Sequence, residues 1–172
     1  MTTLVQEQNI ITALKAPEVI VRVAGEDDVD AIVAIVAENS RLGHLLPRSA
    51  DNIRASLPTW RVAEVRGCVV GIGSLLAMND NLVEVRSLAV LPEYRSAGVG
   101  AALVQGLVDE ARRRGYVTVF ALTRAVNFFL RLGFSITIKD RFPEKVWRDC
   151  VVCPLFHACD ETAVAMELQP AM

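Results

Sequence analysis

The sequence predicts one α/β (α+β) domain: a mixed, mostly antiparallel central sheet of about six or seven strands with helices on both faces. Three observations carry that expectation. Three β-patterned stretches follow one another across tight turns, the chain then switches to strands alternating with helical patterns, and 172 residues suit a single core.

Taken in order, Met1 to Pro17 is polar with scattered Leu and Ile and reads as an N-terminal arm (1–17), leaving 18–172 as the domain. Glu18 to Ala24 is β-branched and weakly alternating, as in a strand. Gly25 and the acidic run Glu26, Asp27, Asp28 introduce a helix with Val29, Ile32, Val33 and Val36 on one face. Ser49 starts a second helical stretch carried by Asp51 to Leu57 and closed by Pro58. Trp60 to Val65 and Cys68 to Met78 read as strands joined by an Arg66-Gly67 turn, and Asn79, Asp80 and Asn81 turn the chain into a third strand, Leu82 to Val90. From Val99 the period becomes helical, with Val104, Leu107, Val108 and Ala111 on one face and Asp109 four residues before Arg113 on the other. Gly115 ends this helix. Val117 to Leu122 is the continuous apolar run of a buried strand, Ala125 to Leu132 a short helix ended by Gly133, and Phe134 to Ile138 another strand. Asp140 to Asp160 reads as loop and helix within a cysteine-containing tail (140–172), and Ala163 to Leu168 as a last strand that closes the sheet.

Composition narrows the function. With 52% apolar and 22% charged residues the chain is of globular type, and no apolar run approaches the roughly 18 residues of a membrane helix. Basic and acidic residues nearly balance, 18 against 20, which leaves no electrostatic footprint for nucleic acid or an anionic membrane. A small molecule is the expected partner. The opening MTTLVQEQNIITALKAP lacks the basic and apolar regions of an export signal, so the expected location is cytoplasmic. Four cysteines there are expected as thiols, ligands or catalytic groups and not as a disulfide framework.

The stretch Tyr94-Arg-Ser-Ala-Gly-Val-Gly-Ala-Ala-Leu103 carries the chemistry. Gly98 and Gly100 lack Cβ, so the backbone can turn sharply and a ligand can approach its N–H groups. The helix that starts here offers unsatisfied N–H groups and a positive dipole end, and Arg95 adds a charge. A diphosphate fits all three features, although a plain strand-to-helix turn uses the same residues. Arg95 to Ala101 also resembles the (Gln/Arg)-x-x-Gly-x-(Gly/Ala) signature of the Gcn5-related N-acetyltransferases, placed after a strand ending Ser87-Leu88-Ala89-Val90 and a Pro-Glu-Tyr turn. The likeness extends from about Ile20 to Leu168. It implies acetyl-CoA as co-substrate, with Leu88, Ala89 and Val90 along the pantetheine arm, Arg95, Ser96, Ala97, Gly98, Val99, Gly100 and Ala101 around the pyrophosphate, and Asn127 and Phe129 of the later helix beside the cofactor.

An amine must be neutral to attack a thioester, so the reaction calls for a base or a water route and for a stabilised leaving thiolate. Glu84 and Arg86 lie two apart on one strand face. Glu84 is the candidate base, the alternative being a surface carboxylate paired with Arg86. Thr123 is the candidate donor to the thiolate or a substrate contact, the alternative being the cap of the next helix. Where many relatives carry a tyrosine as acid, this chain has Asn127, Phe128 and Phe129, and the acid stays unassigned.

"EVRSLAVLPEYRSAGVG", "VFALT", "FFLRLGF" and the tail "FPEKVWRDCVVCPLFHACDETAVAMEL" together resemble the acetyltransferase domain of bacterial N-acetylglutamate synthases, in particular short forms without the kinase domain. That resemblance implies L-glutamate as acceptor, a homodimer, and Arg48, Arg86, Ser87, Lys145 and Thr162 as substrate-binding residues; some members use a second tail arginine where this chain has Asp160. Each cation alone could equally be a solvated surface group. Cys150, Cys153, His157 and Cys159 offer four potential zinc ligands, but one residue between His157 and Cys159 is not the usual pairing, so buried thiols or an oxidised pair remain the plainer alternatives. Acetylation of another small amine or a protein N-terminus, and a non-catalytic acetyl-CoA-binding or metal-sensing module, also stay open.

Overall fold

The computed structural model describes residues 16–169. The expected arm, 1–17, falls almost wholly outside them. Seven strands form one sheet: β1 (Ile20–Val23), β2 (Trp60–Val65), β3 (Cys68–Ala77), β4 (Leu82–Val90), β5 (Thr118–Thr123), β6 (Ser135–Thr137) and β7 (Thr162–Glu167). Their spatial order is β1-β2-β3-β4-β5-β7-β6, with β4 and β5 parallel and every other pair antiparallel. The α/β expectation holds. The last strand of the chain is inserted between β5 and β6.

The helices are α1 (Val29–Arg41), α2 (Ala50–Ala55), α3 (Val99–Arg113), α4 (Val126–Arg131) and α5 (Pro143–Arg148). The second is shorter than expected: Ser49 does cap it, its hydroxyl accepting the Asn52 N–H at 3.1 Å, but Pro58 lies in a separate 3-10 turn, Leu57–Thr59. Hairpins follow local chemistry. Arg66 and Gly67 both adopt positive φ, 51° and 78°, the primed turn whose twist matches flanking strands. At the next turn Asn79 Oδ1 accepts the N–H groups of Asn81 and Leu82, each at 2.9 Å, and so supplies the turn's bonds from a side chain.

Sheet alternation divides the core. Val83, Val85, Val119 and Ala121 face α3, packing on Val104, Leu107 and Val108 with Phe129 and Phe134. On the opposite face Val62, Ile72 and Ala89 pack with Ile32, Val36 and Ile53 from α1 and α2. Beside them Phe120 stacks on Phe142, ring centroids 3.9 Å apart and 11° from parallel, so the segment leading into α5 is clamped on the sheet.

The surface pair expected on α3 forms differently. Asp109 bonds Arg112 at 3.2 Å, while Glu110 collects three cations: Arg113 at 2.7 Å, Arg114 at 2.6 Å and, from β2, the buried Arg61 at 3.3 Å. The hydrogen bond from Arg113, aided by Arg114 and Arg61, holds the Glu110 carboxyl down at about 2. A folded pKa below the unfolded value gives stability that is complete above the unfolded pKa and is lost as pH falls through the folded one. Urea titrations between about pH 4.5 and 2 should therefore show wild type losing on the order of 1–2 kcal/mol that Glu110→Gln never had, a figure reduced from full linkage because Arg113 is solvent-screened.

Candidate active site

The site begins where the parallel pairing stops. β4 and β5 are in register at Leu82–Thr118, Val83–Val119 and Glu84–Phe120, and the pairing ends there. Beyond it, Val85 to Leu88 and Ala121 to Thr123 line a cavity of about 350 Å³. A β-bulge sharpens the split: Ser74 pairs with Arg86 and Ile72 with Ala89, so Ser87 and Leu88 stand opposite the single Gly73. Ser87 takes φ 54°, in the left-handed region, and the alternation slips by one residue. Strain of this kind in a non-glycine residue concentrates at functional sites.

The charged groups of the cleft form a chain. Glu84 is 2% exposed, and its Oε1 accepts from Lys145 Nζ at 2.8 Å. Lys145 donates again to Asp149 Oδ2 at 2.9 Å, and Arg86 reaches the same oxygen at 3.3 Å. The expected pairing of Glu84 with Arg86 is thus replaced by two bonds into α5 and the residue just after it. Burial pushes the Glu84 carboxyl up against the pull of Lys145 and Arg86. Burial also works against the Lys145 ammonium, but Glu84 and Asp149 outweigh it and raise its pKa. Arg86 is lowered by burial and by the nearby Arg48. Among the described residues Glu84 Oε2 and Arg48 Nε are buried without a hydrogen-bond partner. One is an unused acceptor, the other an unused donor.

Of the sequence-predicted residues, Arg48, Glu84, Arg86, Ser87, Thr123 and Lys145 all line this cavity. Thr123 does not cap α4, whose cap residue is Ala125; its Oγ1 accepts the Ala125 N–H at 2.8 Å, which leaves its hydroxyl hydrogen free to donate into the cleft. Thr162 is not among the lining residues and pairs across the ladder with Thr123. Phe129 is core, 3% exposed, though part of it borders the cleft, whereas Asn127 lines neither this cleft nor the cavities beside it. Phe128 has the place expected of those two, bordering both this cleft and a neighbouring cavity. Asp149, Phe128, His44 and Glu161 are site residues that sequence reasoning misses. Only Asp149 has a sequence signal, its position four residues after Lys145, the spacing of a helical ion pair.

That neighbouring cavity, about 550 Å³, runs past Leu88, Ala89 and Val90 to Arg95, Ser96, Gly98, Gly100 and Ala101. Gly98 has φ 81° at the start of α3, and nothing lies within 4 Å of where a Cβ would stand, so backbone conformation and not space selects glycine. At Gly100 a Cβ would come within 3.3 Å of the Phe128 ring. The first intrahelical bond runs from Ala102 N–H to Gly98 O at 3.0 Å, leaving the N–H groups of Val99, Gly100 and Ala101 at the helix mouth. Val99 itself is buried, so it offers only its backbone; Ala97 is exposed, outside the lining. Arg95 Nε donates to Val90 O at 3.3 Å. These groups fit a pyrophosphate.

The cysteines are free thiols: Cys68 and Cys159 are exposed, Cys150 and Cys153 half-buried. Among the described residues no three His, Cys, Asp or Glu side chains are gathered to hold a metal ion. His157 stacks edge-on to Phe156, and Cys159 Sγ lies 3.2 Å from Lys139 Nζ.

An anion cradle and a charged cleft meeting at a split in the sheet are the layout of a transferase with two substrates. The chain belongs to the acetyltransferase (GNAT) family, which it matches over residues 30–134, and acetyl-CoA is its co-substrate. It is similar to an uncharacterised N-acetyltransferase of Chlorobaculum tepidum, 37% identical over 155 residues that cover 90% of this chain and all of that one. An amino-acid acetyltransferase of Shewanella oneidensis is 33% identical over 126 residues, 72% of this chain but 28% of its own length. Among solved structures, N-acetylglutamate synthase from Neisseria gonorrhoeae, complexed with coenzyme A and N-acetyl-glutamate, superposes with TM-score 0.77 and 25% identity over 88% of this chain and 35% of that chain. Rv2747 of Mycobacterium tuberculosis, solved with CoA, gives 0.72 and 27% over 87% and 99%. No helix among the described residues is long and apolar enough to cross a membrane.

Replacing Lys145 by methionine would leave Glu84 and Asp149 without their shared cation. Unfolding should show a loss of about 3–5 kcal/mol, with Glu84→Gln in the same chain recovering part of it, because the uncompensated buried charge is the main cost.

Proposed function

We propose that the protein is an amino-acid N-acetyltransferase with L-glutamate as acceptor, the opening reaction of arginine biosynthesis. The observation that carries this reading is the buried, unpartnered Nε of Arg48 beside Arg86 and Lys145. Four cations line the cleft, Arg48, Arg86, Arg124 and Lys145, against the lining carboxylates Glu84 and Glu161 and the adjoining Asp149, leaving one positive charge in excess. An acceptor bearing two carboxylates and one ammonium restores neutrality, and a guanidinium matches a carboxylate in geometry as well as charge. The name of the Shewanella relative and the product in the Neisseria complex agree with the reading, and with it go the proposals of a cytoplasmic location and a homodimer.

Acetyl-CoA supplies an activated acyl group. The chain's own residues orient and deprotonate the acceptor. Arg48 holds a carboxylate; Glu84, through the free Oε2, takes the ammonium proton directly or by way of a water, and burial makes it a stronger base than an exposed carboxylate. Ser87, whose bulge turns β4 at the split, lies beside the acceptor, and the Thr123 hydroxyl is positioned to donate to the departing sulfur. The cradle from Arg95 to Ala101 fixes the far end of the co-substrate, so its binding should not depend on the acceptor cleft.

The test is release of free CoA, followed with a thiol-reactive dye, for each amino acid in turn. Glutamate should be preferred, and Arg48→Ala should cost about ten- to hundredfold in kcat/KM for glutamate, the loss of a charge-assisted buried hydrogen bond. Release with every amine alike, or with none, would overturn the glutamate assignment.

A base must be unprotonated to act, so turnover should fall as pH drops through the raised pKa of Glu84. Glu84→Gln should lower kcat and abolish that acid limb while coenzyme A binding persists, readable by calorimetry.

A further inference from the structure

The tail encloses a second cavity, of about 520 Å³, against the charged cleft. Its walls include Leu45, Pro47, Val146, Pro154, Leu155 and Phe156 together with the thiols of Cys150, Cys153 and Cys159. The two recesses share the segment from His44 to Leu46 on one side and Leu122, Arg124, Lys145 and Glu161 on the other, so they meet along one boundary and form two compartments of a single acceptor space. One compartment is charged, the other largely apolar.

Most charged groups that border the apolar compartment are already engaged, the exception being Lys139 at its exposed rim, which meets only a thiol. Arg124 bonds Asp160 at 2.7 Å and lies 3.7 Å from Glu161, Lys145 is held between Glu84 and Asp149, and Lys139 contacts Cys159. What remains for a ligand inside that rim is apolar surface and sulfur. A glutamate side chain that turned into its apolar part would strip water from its terminal carboxylate, with only the rim ammonium of Lys139 left to meet it, which is costly. An apolar side chain would gain from the same burial.

We infer that the same site also acetylates α-amino acids with bulky apolar side chains, such as leucine, methionine and phenylalanine, with the side chain in the tail compartment. This rests on the reading of the cleft as an amino-acid N-acetyltransferase site. The carboxylate stays at Arg48 and the amine beside Glu84, so the chemistry is that of glutamate. The ammonium gives one proton to Glu84 or a water; its nitrogen then bonds the acyl carbon of acetyl-CoA as the C–S bond breaks, and the second proton it sheds leaves on the thiol of free CoA. Only the side chain changes compartments. The volume is of the size that holds small ligands, and walls from Val146 to Phe156 would set the upper limit on acceptor size.

The experiment measures CoA release by the full chain with leucine, methionine, phenylalanine and glutamate, for wild type, Val146→Trp and Cys153→Phe. Both side chains border the tail compartment and neither the charged cleft nor the cofactor cavity. At least one apolar amino acid should be turned over, and each filling variant should lower its kcat/KM by about tenfold or more, the scale set by a few lost methylene contacts. Glutamate turnover should survive, which also shows the variants fold. A wild-type readout runs beside this: N-acetyl-phenylalanine, added with CoA, should slow iodoacetamide labelling of Cys153, whereas N-acetyl-glutamate should not. Turnover of glutamate with no apolar acceptor would overturn the inference and leave the glutamate reading standing. Turnover of apolar acceptors without glutamate would do the reverse. Apolar turnover that ignores both variants and leaves Cys153 unprotected would put the side chain elsewhere and overturn the inference, as would no turnover of any of the four.

Discussion

Lys145 stands between two buried carboxylates, and most of what makes the site possible depends on that arrangement. A lone ammonium or carboxylate in this position would be expelled or neutralised by desolvation. Paired, they tie β4, in the middle of the sheet, to α5 in the tail: Glu84 to Lys145, Lys145 to Asp149, Asp149 to Arg86. The stacked rings of Phe120 and Phe142 hold the same segment by apolar contact just before the helix begins. The tail is therefore the floor of the charged cleft and not an appendage. Arg86 owes its orientation to Asp149, 63 positions away in sequence.

The split in the sheet is the second requirement. Parallel β4 and β5 lose their pairing after three residues, and the bulge at Ser87 and Leu88 takes β4 away from its neighbour. A bulge both bends the strand and shifts which residues face which side. Val85 faces the α3 core before it, Ala89 the α1 core after it. The cleft thus gets its shape from an irregularity in a strand whose apolar content would otherwise support continuous pairing.

The sequence carries the fold well, because its signals are local. Primed-turn chemistry at Arg66-Gly67, the side-chain turn at Asn79 and the apolar stripe of α3 each act within a few residues. The glycine turn is legible for the same reason: a left-handed Gly98 and an open helix start are encoded in adjacent positions. The charged cleft is assembled from segments far apart, and there the sequence says less. Arg48, Arg86 and Lys145 stand out only through a resemblance, and their convergence is a tertiary fact. Spacing on one strand points Glu84 toward Arg86, while the cation that wins comes from α5. Phe128 in place of Asn127 and Phe129 reflects a rotation of a six-residue helix, which its mostly apolar sequence leaves undetermined. The insertion of β7 between β5 and β6 has no local signal at all.

That insertion has a consequence for how the domain comes into being. β6 meets the sheet only through β7, and β7 completes the free side of β5. Until residue 167 is available, β5 keeps an open edge of apolar residues and β6 has nothing to pair with. During synthesis β2, β3 and β4 can associate through neighbouring hairpins, with β1 pairing across the two helices that precede them, but the half that bears Thr123 and α4 must wait for a long-range closure, a slow kind of step. The two walls of the cleft should therefore mature at different times, with the glycine turn at the start of α3 organised before the charged cleft exists.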